Sequence, residues 1–161
     1  MTGARRATTD SLYRSAMERE ESAWSNPRFI AHVAKILYIE PEEVTREACP
    51  AHDFTIPDGR TVEAKIRWPP HYEDVLIETS HTDGTAGWLF HTGADLLLYL
   101  WVLESLRISD YRLYDIRAIR EDWSELQRHA TGEIRSAKNA GRVTVNLSFA
   151  METLWKYEEW S

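Results

Sequence analysis

Near the middle of the chain the hydrophobic pattern changes period. Asp53-Phe54-Thr55-Ile56 and Thr61-Val62-Glu63-Ala64-Lys65-Ile66 both alternate polar with apolar residues, the pattern of strands with one face buried. Pro57-Asp58-Gly59 stands between them. Proline presets φ, aspartate closes an Asx turn and glycine accepts positive φ, which suits a three-residue hairpin loop ending in a glycine bulge. Such a loop pairs Ile56 with Arg60, and therefore Asp53 with Glu63. In that register Phe54, Ile56, Val62, Ala64 and Ile66 share one face, and Asp53, Thr55, Thr61, Glu63 and Lys65 share the other. A slip of one residue would mix the two sets.

Helical spacing precedes the hairpin. Leu12, Tyr13, Ala16, Met17 and Ala23 predict a helix over 9–24 that stops at Asn26-Pro27, a second short helix spans 29–37, and Pro41-Glu42-Glu43 reads as the first turn of a helical segment. After the hairpin a third strand, 74–79, follows as a meander, with Val75 and Ile77 on one face and Asp74, Leu76 and Glu78 on the other. Thr92-Gly93-Ala94-Asp95 resembles a capping box and starts a strongly apolar helix over 94–106. A fourth strand over 111–116, an amphipathic helix over 119–129, a late strand over 143–149 and a terminal helix over 152–160 complete the expectation. The terminal helix, with Leu154, Trp155, Tyr157 and Trp160, is apolar enough to cover a sheet edge or meet a second subunit. No repeat or linker interrupts the 161 residues, so a single domain is expected.

Charge narrows the function classes. Nineteen basic residues face 26 acidic ones, a formal net charge of −7, which repels nucleic acid unless the positive charge is segregated or a metal ion helps. Only Lys35, Lys65, Lys138 and Lys156 are lysines; the rest are arginines, the better bidentate partners of phosphate. Cys49 is the only cysteine, so neither an intrachain disulfide nor a cysteine zinc knuckle can form, which fits a reducing compartment. Arg5 and Arg6 run into Thr8, Thr9, Asp10 and Ser11 without an apolar core, unlike a secretory signal. The longest apolar run, 96–103, falls short of the roughly 20 residues that span a bilayer. A cytoplasmic protein is expected.

Common cofactor motifs are missing. His32, His52, His71, His81, His91 and His129 have no HExxH-like spacing, and neither a phosphate-binding GxxxxGK[ST] loop nor a GxGxxG fingerprint occurs. No nucleotide cofactor is expected. Ser148 and Cys49 lack a nucleophile's context, and most of the seven tryptophans belong to core or interface.

What remains is Asp53, Glu63 and Lys65 on one hairpin face. Directly opposed residues have Cβ atoms roughly 4.5–5.5 Å apart, a distance at which like charges destabilise a sheet. A hard divalent cation removes that repulsion, and Mg²⁺ typically takes one or two carboxylates together with waters and phosphate oxygens. Lysine two residues after the glutamate can orient an attacking water or stabilise charge on phosphate. The plainer reading is a solvated polar face with a cross-strand ion pair of little energy; the opposed carboxylates weigh against it.

Asp53, nine intervening residues and Glu63-Ala64-Lys65 on successive hairpin strands resemble the signature of the PD-(D/E)XK nuclease superfamily. The resemblance covers residues 11–116. The run from Asp53 through Val62-Glu63-Ala64-Lys65, Ile77-Glu78 and Gly87-Trp88 to Ala94-Asp95 is most similar to small phage-encoded, Holliday-junction-resolvase-like members. The resemblance implies an α/β fold with a restriction-endonuclease-like αβββαβ core, a mixed sheet flanked by helices, here with a C-terminal strand and helix added. It implies a Mg²⁺- or Mn²⁺-dependent endodeoxyribonuclease, with four-way (Holliday) junctions as the first choice of substrate. Asp53 and Glu63 would be metal ligands, the Ala64 carbonyl a further ligand, Lys65 the catalytic lysine and Glu78 an additional acidic position that completes the metal-binding, catalytic cluster. A first-helix glutamate would join them, with Glu21 the first choice over Glu18 and Glu20. Branched DNA as partner, a homodimer to cut it symmetrically, and a bacterial or phage-infected cytoplasm follow from the same likeness. Arg28, Arg60, Arg67 and Arg112 would grip the DNA backbone, and Trp68 or Trp88 could stack on a splayed base. His52 stands where the family usually has proline, and the literal Pro57-Asp58 falls at the hairpin tip. Two alternatives stand beside this: a nuclease of the same fold acting on nicked, flapped or duplex DNA, and a catalytically inert relative serving as a protein-interaction module.

Overall fold

Pro57-Asp58-Gly59 turns the chain in the expected register. In the computed structural model, which describes residues 9–44, 53–70, 72–137 and 143–159, strands β1 (Phe54–Thr55) and β2 (Thr61–Arg67) pair antiparallel with Phe54 opposite Val62 and Thr55 opposite Thr61. The Ile56 amide donates to the Arg60 carbonyl at 2.9 Å, and Gly59 supplies the positive φ of 91° that closes the loop. Phe54, Ile56, Val62 and Ala64 are buried, and Ile66 packs beside them.

Helices α1 (Thr9–Trp24) and α2 (Pro27–Leu37) cover that apolar face. Asn26 starts α2 by accepting the amides of Arg28 and Phe29 at 3.0 and 3.3 Å, with Pro27 preorganised at the first position. Phe29, Val33, Ala34, Ile36 and Leu37 sit with Ala23 against Phe54, Val62 and Ala64. The segment after α2 is a single 3₁₀ turn, Pro41–Glu43.

The apolar run read as a helix over 94–106 is instead the central strand β4 (Leu96–Val102). It lies parallel to β2, with Lys65 opposite Tyr99, and antiparallel to β5 (Ile108–Asp115), giving a mixed sheet in the order β1-β2-β4-β5. Leu96, Leu98, Leu100 and Val102 face the α1–α2 core, while Leu97, Tyr99 and Trp101 join a second core on the far side. Burial on both faces erases the period-2 signal and leaves a continuous apolar run, which periodicity alone does not distinguish from a buried helix.

The expected meander also fails. Strand β3 (Asp74–His81) does not pair with β2 but crosses to a second antiparallel sheet, β3-β7-β6, with β6 (Gly132–Ala137) and β7 (Val143–Ala150). Val75 and Ile77 reach Leu97, Tyr99 and Trp101 through side-chain packing rather than a backbone ladder. The edge strand β6 was not anticipated because its polar sequence, with Ile134 40% exposed, carries no alternating apolar face. Helices α3 (Trp88–His91), α4 (Ile116–Glu121) and α5 (Trp123–Leu126) contribute to this second core. The single helix expected over 119–129 is thus divided into α4, α5 and a 3₁₀ turn, Gln127–His129.

The expected terminal α-helix is a 3₁₀ segment, Met151–Tyr157, that buries Leu154 and Tyr157. Beyond it the Glu159 amide donates to Leu113 at 2.8 Å, so this end of the chain covers part of the β5 edge. Asp110 accepts the Tyr111 amide at 2.8 Å and Arg112 donates to the Tyr111 carbonyl at 2.6 Å, which blunts the edge further. Cys49, His52, His71 and Trp160 lie outside the described residues. Among the described residues no helix is long and apolar enough to cross a membrane.

Candidate functional site

The face of β2 turned away from α1 and α2 carries Glu63, Lys65 and Arg67. Lys65 and Arg67 look across to the second sheet and line a cleft of about 190 Å³ with Leu76 and Glu78 of β3, Trp88, Tyr99, and Thr144 and Asn146 of β7. Lys65 and Glu78 thus meet in a cleft between the sheets, with the parallel β2–β4 pair as its floor, while Asp53 and Glu63 are not among its lining residues.

Asp53 precedes β1 by one residue. Its carboxylate accepts the Ala64 amide at 2.8 Å, which ties the aspartate to the middle of β2 beside Glu63. Amide and carbonyl of one strand residue point to the same side, so the Ala64 carbonyl also opens toward Asp53. Glu63 and Lys65, two residues apart on one face, form an ion pair at 2.6 Å, with side chains 12% and 33% exposed. Lys65 Nζ also stands 5.4 Å from the centroid of the Trp88 ring, within cation–π range.

Glu78 reaches the same cleft but is tied differently. Its Oε1 accepts the Trp88 amide at 3.3 Å and lies 3.4 Å from His81 Nε2, both side chains being nearly buried. The loop leading to α3 must come very close to β3 to make this bond. An alanine Cβ at Gly87 would sit 2.5 Å from the Glu78 carbonyl oxygen, so only glycine fits. The Gly87 amide donates to Thr79 at 3.0 Å, where a bulge between Glu78 and Ser80 interrupts the β3–β7 register. Bulge, glycine and glutamate together set Trp88 beside Lys65.

A second polar group borders the cleft. Arg67 donates to Asp74 at 3.1 Å and lies over Tyr72, and Asp74 also accepts the Ser148 hydroxyl at 2.7 Å. The Tyr99 hydroxyl accepts the Leu76 amide at 3.3 Å. Burial raises its pKa, while the Leu76 amide and Arg67 act in the opposite direction.

Asp53, Glu63, Ala64 and Lys65 thus come together, and Glu78 joins the cleft from the facing sheet. Glu21 is exposed on α1, whose end packs against Phe54 through Trp24, and its side chain makes no contact with Asp53 or Glu63 that ties it to the site; Glu18 is exposed as well and Glu20 is half-buried. Two neighbours of the site carry no local signal: Tyr99 lies in a continuous apolar run that periodicity does not separate from a buried helix, and His81 follows Glu78 by three residues, a spacing with no meaning in a regular strand. Trp88, expected in the core or against a splayed base, is buried and stands beside Lys65.

The donor atoms suit a hard divalent cation, since the carboxylates of Asp53 and Glu63 and the Ala64 carbonyl are all oxygen ligands. The Asp53 carboxylate accepts the Ala64 amide, and Lys65 pairs with Glu63. Among the described residues no group of three or more His, Cys, Asp or Glu side chains converges as a metal cluster; two carboxylates fall within the one or two that Mg²⁺ commonly uses. Compared with protein-family models, curated proteins and solved structures, the chain has no match in any of the three.

Proposed function

We propose that this protein is a metal-dependent endonuclease that hydrolyses DNA phosphodiester bonds, with four-way junctions as the preferred substrate. The observation that carries the reading is the hairpin register, which sets the Asp53 carboxylate on the Ala64 amide beside the Glu63–Lys65 pair. The parallel β2–β4 pairing supports it by placing that hairpin within a mixed sheet with a helical layer behind it.

Asp53, Glu63 and the Ala64 carbonyl would hold Mg²⁺ or Mn²⁺. When bound, the ion supplies charge stabilisation on the phosphoryl oxygens and activation of water. Lys65 orients the attacking water and offsets charge that develops on phosphate. Trp88 and Glu63 hold the lysine ammonium between them. Glu78 anchors the α3 turn that carries Trp88, and so acts as a positioning residue.

The test is cleavage of a labelled four-way junction beside linear duplex, with Mg²⁺, Mn²⁺ or EDTA, comparing wild type with Glu63→Gln. Symmetric, metal-dependent cutting of the junction that Glu63→Gln abolishes is the expected result. Cutting of both substrates leaves a general nuclease. One observation favours the inert interaction module: Lys65 already neutralises Glu63 within the protein. No cutting together with no metal binding would establish that reading instead.

A further inference from the structure

Arg28, Arg60, Arg67 and Arg112 were the arginines expected to grip DNA. Arg60, Arg67 and Arg112 are all engaged by carboxylates, of Asp58, Asp74 and Asp110 respectively. Arg28 is not, and it has a companion. Of the arginines whose side chains are described, every one other than Arg28 and Arg107 holds a carboxylate or a backbone carbonyl. These two exposed guanidiniums line a single groove of about 430 Å³. His32 and Ser105 also line it, and no carboxylate does. In a chain of net charge −7, that is segregated positive charge.

The groove is built on fixed backbone. On one wall Asn26 closes the start of α2, so the attraction comes from side chains rather than from open helix amides. On the other wall the β4–β5 turn is closed by the Leu103 amide on Arg107 at 2.8 Å and the Leu106 amide on Leu103 at 2.9 Å. Leu106 holds a φ of 67° and packs against the core, which sets the direction of Arg107.

We propose that this groove binds the phosphodiester backbone of duplex DNA, with Arg28 and Arg107 each taking a phosphate. Guanidinium matches phosphate with two parallel hydrogen bonds, and an uncommitted arginine has no internal ion pair to give up. The groove begins at Ser105, six residues beyond Tyr99, the register partner of Lys65. At about 3.3 Å per residue this is at most about 20 Å, or about six base pairs. The choice of DNA as the polyanion rests on the nuclease reading; the groove itself does not.

The test is fluorescence anisotropy of a labelled linear duplex in EDTA, so that nothing is cut, over about 50–200 mM salt. Wild type is compared with the double variant Arg28→Gln/Arg107→Gln and with Arg117→Gln, an exposed arginine paired with Asp95. Losing two phosphate contacts lowers the slope of log K against log salt by about 1.8, while Arg117→Gln keeps the wild-type slope. Circular dichroism checks that all three proteins are folded. A double variant with the wild-type slope, or a wild type that binds no duplex, overturns the proposal. A reduced slope in a protein that cleaves nothing with Mg²⁺ or Mn²⁺ upholds the groove and removes the nuclease reading.

Discussion

Gly87→Ala probes the joint between the second sheet and the candidate site. The added Cβ would lie 2.5 Å from the Glu78 carbonyl oxygen and 2.7 Å from the carbonyl carbons of Glu78 and Thr79. These are backbone atoms of β3, which is laddered to β7 on its other side and cannot yield as a side-chain tip would. Two responses are open. If the loop stays, the overpacking costs about 1–3 kcal/mol. If it lifts, the Gly87 amide loses Thr79 and the Trp88 amide loses Glu78, at roughly 1 kcal/mol each, and Trp88, now 6% exposed, gives up part of its burial, a further ~1 kcal/mol. The expected loss is therefore about 1–3 kcal/mol, whichever route is cheaper. Urea unfolding followed by far-UV circular dichroism measures it, with Gly132→Ala as the control because its Cβ would meet nothing within 4 Å. The control should change stability by no more than about 0.5 kcal/mol. Equal stability of the two variants would refute the close approach as the reason for glycine at position 87.

Trp88→Leu should free the Lys65 ammonium without unfolding the sheet. Because only four lysines are present, ¹³C-dimethylated lysines give few NMR signals. The Lys65 signal is expected upfield in wild type, partly retained in Trp88→Phe and lost in Trp88→Leu; a wild-type signal at the ordinary lysine position contradicts the ring contact. Tyr114→Phe tests a different part of the core. The Tyr114 hydroxyl is buried with no hydrogen-bond partner among the described residues, and burial pushes its pKa up. Removing it should leave stability unchanged or raise it by about 1 kcal/mol, read by thermal unfolding. A loss of more than about 1 kcal/mol would mean that the hydroxyl is satisfied in solution.

The hairpin and its surroundings show how far local signals reach. Turn chemistry and alternation place Phe54 opposite Val62 without help from any tertiary contact, because a three-residue loop leaves a strand pair one register and the buried face forbids a slip. That register brought Asp53, Glu63, Ala64 and Lys65 into one neighbourhood. The first two helices were equally legible: Asn26-Pro27 both ends one and caps the next, and the apolar spacing of α2 matches its buried face.

Elsewhere the partners of each segment decided. Residues 96–102 are a strand because β2 and β5 flank them and a core covers each face; nothing within seven consecutive apolar residues carries that information. Glu78 came to the cleft by a route that local pattern does not encode, with β3 leaving the first sheet and a bulge at Thr79 turning the following loop back onto it. Arg107 next to Arg28 is likewise a tertiary fact, joining residues 79 positions apart in one groove. Sequence alone thus determined the elements whose stability is local, the capped helices and the tight hairpin with its charged face. Tertiary structure decided which surfaces cover that face and which charges go uncommitted, because burial and ion pairing depend on segments distant in the chain.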